Sequence, residues 1–219
     1  MNTPIVVLKV GGSLLDWPDL PDRLSAYLRG RPEIRPVLVV GGGRFADALR
    51  DLDRRHAIGE ARAHALALRV LDLTAHVLAD LVPGLAAVDA IADLDRAWSR
   101  TLAPVLAPRK FLDRDDRSPG PLPHAWSTTT DAIAARLAVR LQARELVLLK
   151  SADCPPGATI AEAASLGLVD AEFARAASTI PTVAYSNLRR EPTKVASLSG
   201  DHSSSASALS SGSAARSVF

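Results

Sequence analysis

Early in the chain the same pattern occurs twice: an apolar run without strict alternation, a glycine corner, then a change of character. The first copy is IVVLKVGGSLL, Ile5 to Leu15, and the second is PVLVVGGGRFADALRDL, Pro36 to Leu52. Apolar runs of this kind belong to strands buried on both faces, so they demand a sheet covered by helices on either side. Further short runs at Leu85 to Val88, Pro104 to Ala107, Leu146 to Leu149 and Thr182 to Tyr185 alternate with helical patterns. Those patterns cover Leu20 to Leu28, Phe45 to His56, Gly59 to Leu81, Asp131 to Gln142 and Ala171 to Ala177. Such alternation predicts an α/β fold with a mainly parallel central sheet and helices on both faces.

Composition removes several function classes. With 219 residues, 47% of them hydrophobic, the chain can bury a substantial core. The net charge of +2 comes from scattered arginines with no basic stripe, which argues against a nucleic-acid partner. A single cysteine, Cys154, excludes an intrachain disulfide and a multi-cysteine zinc site, and fits a reducing cytoplasm. The N-terminal apolar run falls short of the roughly 20 residues of a membrane span, so neither a signal peptide nor a membrane partner is expected.

Ligands of open parallel sheets bind beyond the carboxyl ends of the strands, and both glycine corners fall there. Glycine lets backbone N–H groups approach an anion closely, and a following helix N-terminus favours negative charge. Tight strand-to-helix turns would need glycine as well, and neither corner matches a P-loop or a dinucleotide fingerprint. Lys9 adds to the first corner. Lysine occurs only at positions 9, 110, 150 and 194 in an arginine-rich chain. An ammonium at the end of a buried strand can offset charge that develops on a phosphoryl group, or can snorkel to water.

The opening Lys9-x-Gly11-Gly12-Ser13, the Gly41-Gly42-Gly43 turn and the segment STTTDAIAARLA before ELVLLKSAD together resemble the amino acid kinase family over Ile5 to about Asp153. The pieces GGGRFADALRDLD, ARAHALALRVLDL, PLPHAWSTTTDAIAA and GLVDAEF are similar to a smaller branch, the aminomethylfuran phosphate kinases of methanofuran-type cofactor biosynthesis. The resemblance implies a three-layer α/β/α sandwich and ATP-dependent phosphoryl transfer to the phosphate or carboxylate of a small molecule. It also implies Mg2+ as cofactor and a homo-oligomer.

On that resemblance Lys9 would bridge donor and acceptor phosphoryl oxygens, while Gly11, Gly12 and Ser13 would cradle the group in transit. Gly41, Gly42, Gly43 and Thr130 would hold the acceptor, and Asp131 would orient the lysines. Asp131 also suits the first turn of a helix, where a carboxylate is stabilising without any function. Lys150 and Asp153 would face the nucleotide, with a solvated strand end as the alternative for Lys150. His64, Leu68, Asp72 and His76 share one helix face, which makes His64 and Asp72 candidates for the acceptor site. Asp72 and His76 have metal-compatible spacing, but two side chains make no metal site. His124 and Trp126 would close over the acceptor, and His56 would complement a helix C-terminus.

Two segments depart from the family pattern. CPPGATI follows Asp153 with two stiff prolines, and YSNLRREPTKVASLSG runs without a glycine-bearing return into a Ser-rich stretch. The expected organisation is a kinase-like domain over residues 1–198, with an acceptor half to about 145 and a short nucleotide half over 146–198. The stretch beginning near Ser197, with residues 199–219 as its main part, reads as a disordered tail. Arg109 to Pro123 reads as a charged, proline-rich loop over the site. A kinase-like binding subunit without activity is the alternative that the short second half allows.

Overall fold

A computed structural model describes residues 3–190, 193 and 195–200. Seven strands, β1 (Ile5–Val10), β2 (Arg35–Val40), β3 (Leu85–Val88), β4 (Ala103–Leu106), β5 (Glu145–Lys150), β6 (Thr182–Asn187) and β7 (Ala196–Leu198), form one sheet in the order β3-β4-β2-β1-β5-β6-β7. Every pairing is parallel except β6 with β7. The helices are α1 (Leu20–Arg29), α2 (Gly43–His56), α3 (Glu60–Leu81), α4 (Leu94–Ser99), α5 (Arg109–Asp115), α6 (Thr130–Arg140), α7 (Ile160–Ser165) and α8 (Phe173–Ala177). The architecture is the expected α/β/α arrangement.

The unalternating runs behave as double-sided burial requires. Val7, Val37, Val39, Leu146 and Leu148 pack into one core with α6 and α8. Val6, Leu8, Val10, Leu38, Val40, Val147 and Leu149 enter the other with α1 and the C-terminal half of α3. Each such side chain contributes about 1.5–3 kcal/mol on burial. Lys9 shares the face of Val7 and Val39, so its four-carbon stem runs between sheet and helix.

The chain leaves β1 toward β2 and returns to β5 on the other side of β1. That reversal creates a crevice at the carboxyl ends of β1 and β5, where open α/β sheets bind ligands. The register aligns Val10 with Val40 and with Leu149, so both glycine corners and the end of β5 reach the crevice together.

Several local expectations change. The segment read as a loop from Arg109 begins with α5, because Phe111, Leu112 and Asp115 share a buried face that its surface charges hide. The first glycine corner leads into a 3₁₀ turn, Gly12–Leu14, rather than directly into a helix, while α1 starts at Leu20 as its pattern predicts. The start of the expected tail is ordered as well: Ser197 and Leu198 belong to β7, and Ser199 bridges to Thr159. The remainder of that tail, residues 201–219, lies outside the described residues.

Candidate functional site

The two glycine corners pack against each other. A Cβ on Gly12 would stand 2.3 Å from the Gly43 nitrogen, and one on Gly41 would stand 2.6 Å from the Gly12 nitrogen. Gly43 also has φ +51°, and its Cβ would meet the Gly12 carbonyl oxygen at 2.6 Å. Backbone against backbone at this spacing leaves no room for any side chain. The 3₁₀ turn uses the amides of Leu14 and Leu15. Among the described residues, the amides of Gly12 and Ser13, and that of Gly43 at the start of α2, have no backbone carbonyl partner. The paired corners thus combine a structural necessity with a cluster of available anion donors.

Beneath them lies a buried charge triad. Asp131, in the first turn of α6, is 4% exposed and Lys9 is 6% exposed. Lys9 Nζ stands 2.8 Å from Asp131 Oδ1, an ion-pair contact without hydrogen-bond alignment. Lys150 Nζ donates to Asp131 Oδ2 at 2.7 Å and to the Leu168 carbonyl at 2.8 Å. Burial pushes the Asp131 carboxyl up, but the ammoniums of Lys9 and Lys150 outweigh it and hold the group below the usual carboxylate range. Burial, reinforced by repulsion from Lys9, brings Lys150 down to about 8. Lys150 therefore joins Lys9 on the carboxylate, and its Cδ would lie 3.8 Å from a Cβ on Gly11.

Asp170, to which the sequence attached no role, fixes the helix that carries Asp131. Its Oδ2 accepts from Thr129 Oγ1 at 2.6 Å, from the Ala132 amide at 3.1 Å and from the Thr129 amide at 3.3 Å. Thr129 Oγ1 in turn caps α6 by accepting from the Asp131 amide at 3.3 Å. Burial raises the Asp170 carboxyl above the ordinary range, with the Thr129 hydrogen bond opposing the shift. The Leu168–Asp170 segment, between α7 and α8, thereby touches the triad through both Lys150 and Thr129.

A cavity of about 240 Å³ opens in front of the corners. Gly12, Ser13, Gly42 and Gly43 line one end; Arg50, His64 and Trp126 line it with Thr128, Thr129 and Thr130 over an apolar floor. His64 Nδ1 donates to the Ala125 carbonyl at 3.2 Å, which leaves Nε2 as the acceptor nitrogen of the neutral ring. Burial lowers the His64 pKa, the Ala125 carbonyl opposing that shift, and its ring stacks on His124 at 5.3 Å between centroids.

Other sequence candidates lie elsewhere. Asp72 is absent from the cavity lining and is committed to α5, accepting from the Arg109 amide at 3.1 Å and from Arg109 Nε at 3.0 Å. Asp153 pairs with Asn187 and Arg190 on the exposed rim beyond β6. Gly41 is packing and Gly11 abuts Lys150, whereas Gly12, Ser13, Gly42, Gly43, His64 and Thr130 do converge on the cavity. Arg50 was also missed; its position seven residues after Gly43, two turns along α2, was the available signal. His56 ends α2 as expected.

The chain belongs to the amino acid kinase family, whose family model matches residues 4–154. A curated relative from Methanocaldococcus jannaschii, [5-(aminomethyl)furan-3-yl]methyl phosphate kinase, is 29% identical over 148 residues, covering 67% of this chain and 66% of the relative. The chain thus matches just under two thirds of that relative's length. Among solved structures, UMP kinase from Ureaplasma parvum is similar with a TM-score of 0.65 at 13% identity, over 90% of this chain and 100% of that one. UMP kinase from Bacillus anthracis is similar with a TM-score of 0.58 at 12% identity, over 86% of this chain and 89% of that one. These structural likenesses establish the fold.

Proposed function

We propose that the protein is an ATP-dependent kinase that transfers the γ-phosphoryl group to the phosphate of a small acceptor, the aminomethylfuran phosphate named for its relative being the first candidate. The observation that carries this reading is the pair of ammoniums held on one buried carboxylate behind paired glycine corners. A buried triad with one surplus positive charge suits the stabilisation of anionic oxygens. A scaffold without catalysis gains nothing from two desolvated like charges, which argues against the inactive-subunit alternative.

In the reaction an ionised oxygen of the acceptor phosphate bonds to the γ-phosphorus while the bond to the β,γ-bridging oxygen breaks and ADP leaves. No proton need be removed, so catalysis reduces to positioning and charge stabilisation. Lys9 would contact the oxygens of the group in transit, and the amides of Gly12, Ser13 and Gly43 would hold it. Asp131 keeps both ammoniums in place, and Asp170 keeps Asp131 in place. Magnesium, when bound, would neutralise the nucleotide phosphates. It commonly binds through substrate phosphates rather than a protein cage.

A reducing cytoplasmic setting is supported by the lone Cys154, and among the described residues no helix is long and apolar enough to cross a membrane. A homo-oligomer is supported by the exposed apolar side chains of Phe45, Leu52, Leu73 and Leu81 on α2 and α3. The test is ADP release with a panel of phosphate monoesters, carboxylates and alcohols, run with the wild type and Lys9→Met. Turnover with phosphate monoesters that Lys9→Met abolishes is expected. Turnover confined to alcohols, or unaffected by Lys9→Met, would overturn the reading.

A further inference from the structure

One side chain in the cavity lining, Trp126, is under unusual restraint. Trp126 sits in the connection between α5 and α6, yet α2 and α3 hold it from several directions. Its Nε1 donates to Asp53 Oδ2 at 2.8 Å, and its backbone amide donates to Glu60 Oε1 at 3.3 Å. The Arg50 guanidinium lies over its ring, 5.0 Å from the centroid. Asp53 is itself braced, its Oδ1 accepting from the Gly59 amide at 3.0 Å across the α2–α3 turn. Ordering a loop tryptophan costs conformational entropy, and three separate contacts offset it here.

The restraint fixes what the cavity presents. With the indole N–H tied to Asp53, the polar handle of the ring is already satisfied. Trp126 and Arg50 line the cavity together with Ala46, Ala67, Leu68, Leu71 and Ile133. A lining that combines a planar aromatic side chain, a cation and aliphatic carbons suits a flat ring. At about 240 Å³ the cavity is smaller than the roughly 300–1,000 Å³ of pockets for drug-sized ligands.

We infer that Trp126 determines acceptor specificity: its fixed indole recognises the planar ring of a small phosphate ester, and its held place in the lining of a small cavity excludes acceptors of nucleotide size. This rests on the kinase reading for the identity of the pocket as the acceptor site, but the recognition can be tested without turnover. Trp126 fluorescence is followed in a Trp17→Phe, Trp98→Phe background, and binding is measured by calorimetry with furan-3-ylmethyl phosphate, n-butyl phosphate and UMP. The ring ester is expected to bind about three- to tenfold more tightly than the acyclic ester, the scale of an aromatic pair, and to change the indole emission. UMP is expected not to bind. Trp126→Ala should erase the preference for the ring, and Trp126→Phe should retain most of it, with ATP binding intact in both.

Equal affinity for the two small esters, or a preference that survives Trp126→Ala, would overturn the assignment. So would UMP binding with Trp126 present. A ring preference in a protein that transfers no phosphoryl group would sink the kinase reading and leave the ring site standing. Turnover of phosphate esters without regard to the ring would do the reverse.

Discussion

Replacing Asp131 by Asn removes the carboxylate from between two buried lysines and keeps the shape. Asp131 Oδ1 stands 2.8 Å from Lys9 and Oδ2 is 2.7 Å from Lys150, so the substitution turns a net charge of +1 into +2 in the same buried volume. Removing one partner of a buried ion pair typically costs about 3–5 kcal/mol, because the remaining charge is left uncompensated. With a urea slope of about 2 kcal/mol per molar, the unfolding midpoint should fall by roughly 1.5–2.5 M at pH 7. Lys150, already at about 8 in the intact triad, would shed its proton more readily in the variant. The folded variant then binds fewer protons than the unfolded chain between that lowered value and the normal lysine value. Its stability should therefore recover with rising pH in that window, by at most about 1.4 kcal/mol per pH unit for each proton. Urea titrations at pH 7 and pH 9 measure both effects, and turnover should be lower by about 10²–10⁴ at either pH. A stability loss below 1 kcal/mol with turnover intact would refute the triad as a charge-organising unit.

Lys9→Met should lower turnover by about 10²–10⁴ while the far-UV circular dichroism spectrum stays native, and unchanged turnover would return Lys9 to a strand-end role. Turnover of the wild type should decline as pH rises through about 8, since Lys150 carries its charge below that value and loses it above; Lys150→Arg should move the decline to higher pH, as a pH–rate profile would reveal. Gly12→Val should fail to fold rather than lose one ligand, because its Cβ would stand 2.3 Å from the Gly43 nitrogen; a native melt would contradict the packing of the corners. A chain ending at residue 195 should melt about 3–12 °C below one ending at Gly200, from the loss of buried Leu198 in β7, and equal melting temperatures would show that β7 adds nothing.

The layered fold was legible because double-sided strands and amphipathic helices write different periods into the chain. The strands from β1 to β6 and the helices α2 and α3 begin and end within two residues of their sequence patterns. The hidden elements depend on partners far along the chain. Charges mask α5, whose buried Asp115 accepts from Arg136 at 2.6 Å and Arg140 at 2.5 Å, one turn apart on α6. By contrast α7 carried a local signal that was overlooked, the Thr159-x-x-Glu162 capping box.

The site divides along the same line. Lys9, Asp131 and the corners could be picked out because strand ends and helix starts are local features, and the chain's family likeness gave them roles. That Lys150 would share Asp131 depends on the pairing of β1 with β5, which sequence spacing does not contain. Asp170 stands 41 residues from Thr129, and no periodicity links a surface-type acid to a helix cap at that distance. Asp72 misled because a shared helix face fixes a direction without saying what fills it, and here α5 does.

Phosphorus NMR of a mixture of this protein, ATP, magnesium and [5-(aminomethyl)furan-3-yl]methyl phosphate would follow the proposed transfer itself. The phosphate monoester signal should be replaced by the coupled pair of doublets of a diphosphate ester, with ADP formed in equal amount, and Lys9→Met should leave the spectrum unchanged. ADP appearing with inorganic phosphate while the monoester persists, or no reaction with any phosphate monoester, would contradict it.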